Sequence, residues 1–349
     1  MSAPTAPESD SAPDGQWGQW PQWPQWMEDT RLDDTLAADA YEATPPTWRA
    51  AIKTGLALAH MHFGSSAGHG RETQSNDRLG FWREHENQAA AWTIIAFPPS
   101  YAAAARLAAA CIAPILADVP LVGAVCVGGT PHASALVSLE LSGVEDVFVL
   151  DTPDLHALLE QCGHGHGRLL LLHAGELNLT AAFAQTLGLP CWQEDRPPTL
   201  VLPPAHAESS SGACAESSEF DMEALAFAQA GANFVQYAAP THASFSENAM
   251  QDVPAQGTCT ARAAAQNVFL PKILAAAPHL PHPAGANVAK PHARYVLSGH
   301  ARHSARCREK HAHASAPLLT LTPGCEGFWL HPGLTPDFFR VHSLAFGLL

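Results

Sequence analysis

Apolar residues between positions 92 and 202 fall in short continuous runs that alternate with segments of helical spacing. The runs WTIIAF, LVGAVCV, VEDVFVL, RLLLLHA and TLVLPP predict strands at 92–97, 121–127, 144–150, 168–173 and 199–202. Strands that are apolar throughout, with helices between them, are typical of a parallel sheet covered on both faces. We therefore predict an α/β fold with parallel Rossmann-like sheets flanked by helices.

The segments between the strands carry the three-to-four-residue spacing of helices. Helices are predicted at 101–118, 132–143, 153–162, 178–188 and 220–233, the first of them bent or broken near Pro114. Two earlier segments, 31–43 and 44–64, also have helical spacing. The pattern weakens from about 238 to 316, where Pro, Ala and His dominate.

Four parts are predicted along the chain. They are a disordered Trp/Gln/Pro tail at 1–30, N-terminal helices at 31–89, a Rossmann-like domain at 90–204, and a partly irregular second α/β region at 205–349. The tail contains QWGQWPQWPQW, in which Pro21 and Pro24 rule out a regular helix. Its tryptophans leave a second interpretation open, a segment that docks through its aromatic rings.

The composition of the chain disfavours some classes of binding partner. The formal net charge of −15 disfavours nucleic-acid binding, because phosphate backbones repel an acidic surface. No apolar run approaches the roughly 20 residues that cross a bilayer. The N-terminus lacks the basic and apolar segments of a signal peptide, and the eight cysteines form no CxxC pair. We expect a cytoplasmic protein with reduced cysteines.

Four stretches resemble the histidinol dehydrogenase family, whose fold is related to that of the aldehyde dehydrogenases. They are WRAAIKTGLALAHMHFG, RLGFWREHENQAAAWTIIAFPPS, LELSGVEDVFVLDTPDLHALL and GLTPDFFRV, spread in the family's order over 48–342. The resemblance implies an aldehyde dehydrogenase-like fold, and the weak apolar pattern of 238–316 adds an irregular C-terminal region to it. The resemblance also implies an ancestry in the NAD-dependent oxidation of an amino alcohol or aldehyde, in histidine biosynthesis.

The resemblance further implies a zinc site, which this sequence retains only in part. The family's helix with a glutamine and a histidine ligand reads AFAQAGAN here, so Gln229 matches the glutamine and Ala232 stands at the histidine. A methyl group cannot bind zinc. We expect zinc to have been lost, with Gln229 as the remaining ligand position. No catalytic residue is assigned, because Glu84 and His85 of REHEN lie in the wrong part of the chain for the family's acid–base pair.

The NAD contacts are altered in the same way. The family's YVPGG reads AFPPS here, and proline has no N–H group to offer a phosphate. Pro98, Gly128 and Gly129 are the positions predicted to contact the cofactor. Since Gly128–Gly129 is not a GxGxxG loop, two interpretations stay open: a structural corner of the sheet, or a ligand contact.

Two functions follow as hypotheses. The first is a diverged oxidoreductase that still binds NAD or a small alcohol. The second is a non-catalytic paralogue, a pseudoenzyme that acts through binding or through an interface, with a homodimer as one expected assembly. Seven histidines within 279–313 fit no defined metal-site spacing and suggest opportunistic metal affinity.

Overall fold

The structure, a computed structural model, describes residues 22–64, 70–162, 166–194, 197–202, 220–236, 294–297 and 319–348. The chain divides into two compact units. Unit 1 comprises 1–197, 219–231 and 322–349, and unit 2 comprises 198–218 and 232–321. Unit 2 therefore interrupts unit 1 in the sequence, and the predicted boundaries at 89 and 204 do not mark the division.

The helices are α1 (Asp34–Ala43), α2 (Pro46–Phe63), α3 (Ala104–Leu116), α4 (Ala133–Ser142), α5 (Thr152–Gln161), α6 (Asn178–Thr186) and α7 (Met222–Ala228). The strands are β1 (Gly70–Asn76), β2 (Phe81–Ala89), β3 (Trp92–Phe97), β4 (Val122–Val127), β5 (Asp146–Leu150), β6 (Gly167–Leu172), β7 (Cys191–Glu194), β8 (Thr199–Leu202), β9 (Asn233–Gln236), β10 (Arg294–Leu297), β11 (Leu319–Leu321) and β12 (Arg340–Leu348). None of the described helices is long and apolar enough to cross a membrane.

A five-stranded parallel sheet forms the centre of unit 1, in the order β5-β4-β3-β6-β7. Its central strand β3 is buried along its whole length. Leu107 of α3 and Leu139 of α4 pack in the core cluster on one face, while Leu155 of α5 and Ala184 of α6 pack in the cluster on the other. The prediction of a parallel sheet flanked by helices is confirmed.

Unit 2 has its own parallel sheet, in the order β11-β10-β8-β9. Four of the five strands predicted from apolar runs lie in the sheet of unit 1, and the fifth, β8, lies in this one. Each pairs in parallel within its own sheet. In unit 1 the edge place is taken by β7, which the sequence analysis missed because it is short and half-buried throughout. Strand β10 lies inside the region where the apolar pattern weakened.

A three-stranded antiparallel sheet, β1-β2-β12, corrects the prediction of helices throughout 31–89. Helices do occupy the first half of that range, but 70–76 and 81–89 are strands. Strand β1 is exposed at nearly every residue and β2 is half-buried on both faces. Such strands lack the apolar alternation by which a half-buried strand is recognised in a sequence. Their hydrogen bonds to one another hold them in place.

The N-terminal segment 22–32 corrects the prediction of a disordered tail over 1–30. Met27 is fully buried, and the Trp23 indole N–H donates to Asp146 Oδ2 at 2.7 Å while the ring meets Phe148 edge-on at 6.0 Å. Leu32 N donates to the Val147 carbonyl at 2.8 Å. The segment therefore covers the edge strand β5, as the docking interpretation proposed. Residues 1–21 lie outside the described residues.

Residues 322–348 complete unit 1 from the far end of the sequence. Phe339 is fully buried in the same core cluster as Leu107. The Arg168 guanidinium of β6 donates to the Phe338 carbonyl at 2.6 Å and to the Arg340 carbonyl at 2.8 Å. Gly327 lies against α2 so closely that a methyl group on Gly55 would overlap its carbonyl oxygen. Glycine at these two positions is what lets the two backbones touch.

Candidate functional site

The carboxyl edge of β3 and β6 is a topological switch point. From β3 the chain passes through α3 to β4 on one side, and from β6 it passes through α6 to β7 on the other. In open α/β sheets, ligands bind in the crevice outside the carboxyl ends of two such strands. This edge is the candidate site, and it is formed by the segments that follow Phe97 and Leu172.

A tight turn follows β3. Pro98 is buried, and its carbonyl accepts a hydrogen bond from Tyr101 N at 2.9 Å. The Pro99 ring lies against the neighbouring turn after β4, where a methyl group on Gly129 would come within 3.0 Å of the proline Cγ. Glycine at 129 therefore leaves room for the Pro99 ring.

The Gly128–Gly129 turn is a corner of the sheet in this structure. Gly128 has a φ of 92°, a conformation that favours glycine, and its N–H donates to the Leu150 carbonyl at 2.8 Å. At the start of α4, the Ser134 N–H is taken up by His132 Nδ1 at 3.2 Å. Two N–H groups near the turn are thus engaged within the protein. Cofactor contacts by Pro98, Gly128 and Gly129 stay predictions.

His173 follows β6 directly and is 3% exposed. Its Nδ1 accepts a hydrogen bond from Gly175 N at 2.8 Å, so in the neutral ring the proton lies on Nε2. Among the described residues, Nε2 has no hydrogen-bond partner and is buried. A buried donor without a partner costs about 1–3 kcal/mol, so an acceptor at this position would be stabilising.

A buried polar cluster joins the turn after β3, the start of α3 and the end of β7. The Arg106 guanidinium of α3 pairs with the carboxylate of Glu194, the last residue of β7, and also donates to the Ala230 carbonyl. The Tyr101 hydroxyl donates to Glu194 Oε2 at 2.6 Å. Burial, together with the Glu194 charge, raises the pKa of Tyr101 well above its ordinary range, so the phenol stays neutral. The cluster fixes the start of α3 against β7 and the end of α7.

His331 extends this cluster and is also buried. Its Nε2 lies 2.7 Å from the Arg106 carbonyl, and its Nδ1 accepts a hydrogen bond from the Trp329 indole at 3.3 Å. Both contacts suit a neutral ring with the proton on Nε2. Burial is the largest cause that lowers the pKa of His331 below its ordinary value.

Because the pKa of His331 is lowered in the folded state, we predict that the free energy of unfolding decreases in mild acid. The folded state resists protonation of this ring, so the unfolded state binds the extra proton first as the pH falls below about 6.5. The free energy of unfolding should therefore fall between pH 7 and pH 5, with a slope from this group of at most about 1.4 kcal/mol per pH unit. Urea titrations at several pH values measure it. His331→Gln should flatten the slope while His60→Gln, at an exposed position on α2, should not; equal slopes would contradict the assignment.

Gln229, the predicted metal ligand, ends up buried beside the cluster. It is 0% exposed, it caps the end of α7, and neither atom of its side-chain amide has a partner among the described residues. No three His, Cys, Asp or Glu side chains converge on a metal position anywhere in the part of the chain that the structure describes. The described residues therefore do not fit the family's zinc site. The seven histidines of 279–313 lie outside the described residues.

The sequence analysis missed His173, Tyr101, Arg106 and Glu194. Two of them carried a signal: Arg106 is a lone charge in an alanine-rich helix, and His173 ends an apolar strand. A charge inside an apolar stretch predicts a buried partner. It does not say which residue the partner is, because Glu194 lies 88 positions away.

Comparison with known proteins leaves the family unassigned. No family model matches the chain, and no curated protein sequence matches it. Among solved structures, histidinol dehydrogenase from Elizabethkingia anophelis is 14% identical over 51% of this chain and 42% of its own, with a TM-score of 0.40. Succinate-semialdehyde dehydrogenase from Burkholderia pseudomallei is 15% identical over 48% and 36%, with a TM-score of 0.30. An NAD-dependent benzaldehyde dehydrogenase from Corynebacterium glutamicum is 12% identical over 48% and 46%, with a TM-score of 0.26. The chain spans less than half the length of each of these enzymes, and similarity at this level does not assign their activities to it.

Proposed function

We propose that this chain is a nucleotide-binding protein of dehydrogenase-like ancestry that does not oxidise histidinol. The ligand lies at the carboxyl edge of β3 and β6, and NAD or NADH is the first candidate. The observation that carries the proposal is the buried Nε2–H of His173, which lacks an acceptor among the described residues and lies at the position where an open α/β sheet binds its ligand.

The chemistry of the donor suits a nucleotide. Ribose hydroxyls and phosphate oxygens are acceptors that an imidazole N–H can serve. The exposed turn at Gly128, at the end of the adjacent β4, lies on the same edge of the sheet. When bound, NAD supplies hydride acceptance; His173 would hold and orient it, since an N–H donor is what the residue offers.

The loss of histidinol oxidation rests on the groups that this reaction would need. Ala232 replaces one expected zinc ligand, and the remaining ligand position, Gln229, is joined by no set of convergent metal ligands among the described residues. Positioned acid–base groups typically contribute about 10²–10⁴ in rate. At the edge of β3 and β6, Glu194 is held by Arg106 and Tyr101, and so it is engaged in structure.

Thermal unfolding with NAD and NADH tests the binding. A ligand at about a hundredfold excess over its Kd should raise the midpoint by about 5–10 °C. His173→Asn keeps an acceptor for Gly175 N but removes the Nε2 donor, so the rise should shrink. His166→Ala, at an exposed position before the amino end of the same strand, is the matched control.

Two results would contradict the proposal. The first is a midpoint that NAD and NADH leave unchanged, or raise equally in His173→Asn and in the unmodified protein. The second is NADH formation at 340 nm from histidinol and NAD at ordinary enzyme rates, which would restore the oxidoreductase hypothesis.

A further inference from the structure

Two histidines face each other on the three-stranded antiparallel sheet, away from the candidate site. His85 of β2 pairs in register with Leu344 of β12, and His342 of β12 pairs with Asn87 of β2. Residues two apart on a strand share a face, so His85 and His342 are diagonal neighbours on one face of the sheet. His342 is exposed and His85 is half-buried, so solvent reaches the pair.

The two imidazoles have the spacing of metal ligands. Their planes are parallel to within 5°, their centroids lie 5.5 Å apart, and His342 Nδ1 lies 3.4 Å from His85 Nε2. Two nitrogens bound at about 2.0–2.1 Å to a tetrahedral zinc ion stand about 3.4 Å apart. As a hydrogen bond between two nitrogens, the same separation is long.

We propose that His85 and His342 form a two-nitrogen binding site for a divalent transition metal, with zinc as the reference ion. Imidazole suits zinc, copper and nickel, and it does not suit magnesium. In the neutral pair, one of the two facing nitrogens carries a proton. On binding, that proton moves to the outer nitrogen of the same ring, so both rings stay neutral and each gives one lone pair to the ion.

The neighbouring side chains define the rest of the site. Glu72 of β1 stands directly opposite His85, so it lies on the same face, and a change of its rotamer could bring its carboxylate toward the ion. Arg83, two residues before His85, is on that face as well, and its positive charge repels a bound cation. The site is therefore a two-imidazole chelate completed by water, weaker than a closed four-ligand structural site.

Metal binding here would clamp the C-terminal strand to the sheet. Strand β12 is an edge strand whose Leu344 and Phe346 are 59% and 64% exposed, so few side-chain contacts hold it. An ion that binds His85 and His342 together requires β2 and β12 to stay paired. Zinc would thus protect the backbone hydrogen bonds of 341–348 from exchange, and it would do so without the nucleotide site.

Zinc titration of the full chain by calorimetry tests the site. His85→Ala and His342→Ala should each remove the same binding event, or weaken it by at least about tenfold, because one imidazole cannot chelate. The double variant should lose no more than either single variant. This non-additivity separates the pair from binding by the histidines of 279–313, which all variants retain. His60→Ala is the matched control, and magnesium should give no binding heat.

Hydrogen exchange measured by mass spectrometry supplies the location. Zinc should slow exchange in peptides that cover 341–348 in the unmodified protein but not in either variant. Titrations that do not differ between the unmodified protein and the variants would overturn the proposal, as would a double variant that loses two events. The conservative variants His85→Gln and His342→Gln control for the possibility that the alanine variants disrupt the sheet. If these two variants kept the zinc-binding event, the proposal would also be overturned.

Discussion

Replacing Arg106 with alanine is expected to destabilise unit 1 by about 3–5 kcal/mol, because it leaves the Glu194 carboxylate buried without its cation. The side chains of Arg106 and Glu194 are 5% and 10% exposed, so water cannot take the place of the guanidinium. The lost bond to the Ala230 carbonyl adds to the effect. Chemical denaturation followed by circular dichroism measures the change.

Arg31→Ala is the matched control for this prediction. Arg31 also pairs with a carboxylate, Asp146, at 2.8 Å, but its side chain is 34% exposed. Solvent-exposed pairs contribute about 0–1 kcal/mol. A double change, Arg106→Met with Glu194→Leu, should recover much of the stability, since apolar residues of similar size often replace a buried ion pair without loss. If Arg106→Ala cost no more than Arg31→Ala, the buried pair would not be what holds the edge together.

Deleting residues 1–31 is expected to lower stability by several kcal/mol, whereas deleting 1–21 should leave the midpoint nearly unchanged. The difference comes from the fully buried Met27, whose truncation should cost about 2–5 kcal/mol, and from the half-buried Trp23, which should add less than a fully buried Trp would. The second half of the prediction applies the expectation of a disordered tail, made for 1–30, only to 1–21, which lie outside the described residues. Thermal unfolding of the two deletions measures the difference.

Point variants locate the effect within the Trp repeat. Trp23 lies over Gly123 of β4 and bonds Asp146, while the Trp26 indole makes its 2.9 Å bond to Gln161 in an exposed position. Trp23→Ala should therefore cost clearly more than Trp26→Ala. Two results would contradict this prediction: equal costs for the two variants, or a melting temperature of the 1–31 deletion equal to that of the full chain. Either would mean that the segment does not stabilise the fold.

The sequence was most informative where burial is complete. Strands β3 and β6 are buried at every residue, and their apolar runs predicted them within one or two positions. Strands β1 and β2 escaped prediction because polar residues lie on both of their faces. The Trp repeat was ambiguous, since whether an indole docks depends on Asp146 and Phe148, more than a hundred residues away. The pattern of apolar residues along a segment indicates whether that segment is buried, but it does not indicate which distant residue the segment contacts.

For the candidate site too, the sequence indicated local features but not contacts between distant residues. Gly128 and Gly129 were correctly placed at the end of a strand, and the left-handed φ of Gly128 follows from such a turn. The contacts that define the edge, from Arg106 to Glu194 and from Gly175 to His173, require the sheet to be assembled first. That the Nε2 of His173 has no partner among the described residues can be recognised only when its surroundings are known. Its sequence signal was no more than a histidine at the end of an apolar run.

The split of unit 1 across the sequence bears on how the protein is made. A ribosome completes β1 to β7 early, yet the pieces that close the core, Phe339 and the carbonyls that bind Arg168, are added only after the whole of unit 2. Until then Arg168 lacks two of its acceptors and α2 lacks the backbone at Gly327. Unit 1 therefore finishes folding late, and a nascent chain that stops before 322 presents an unfinished core to chaperones and proteases. Residues 322–348 are thus the part of the unit 1 core that is synthesised after unit 2.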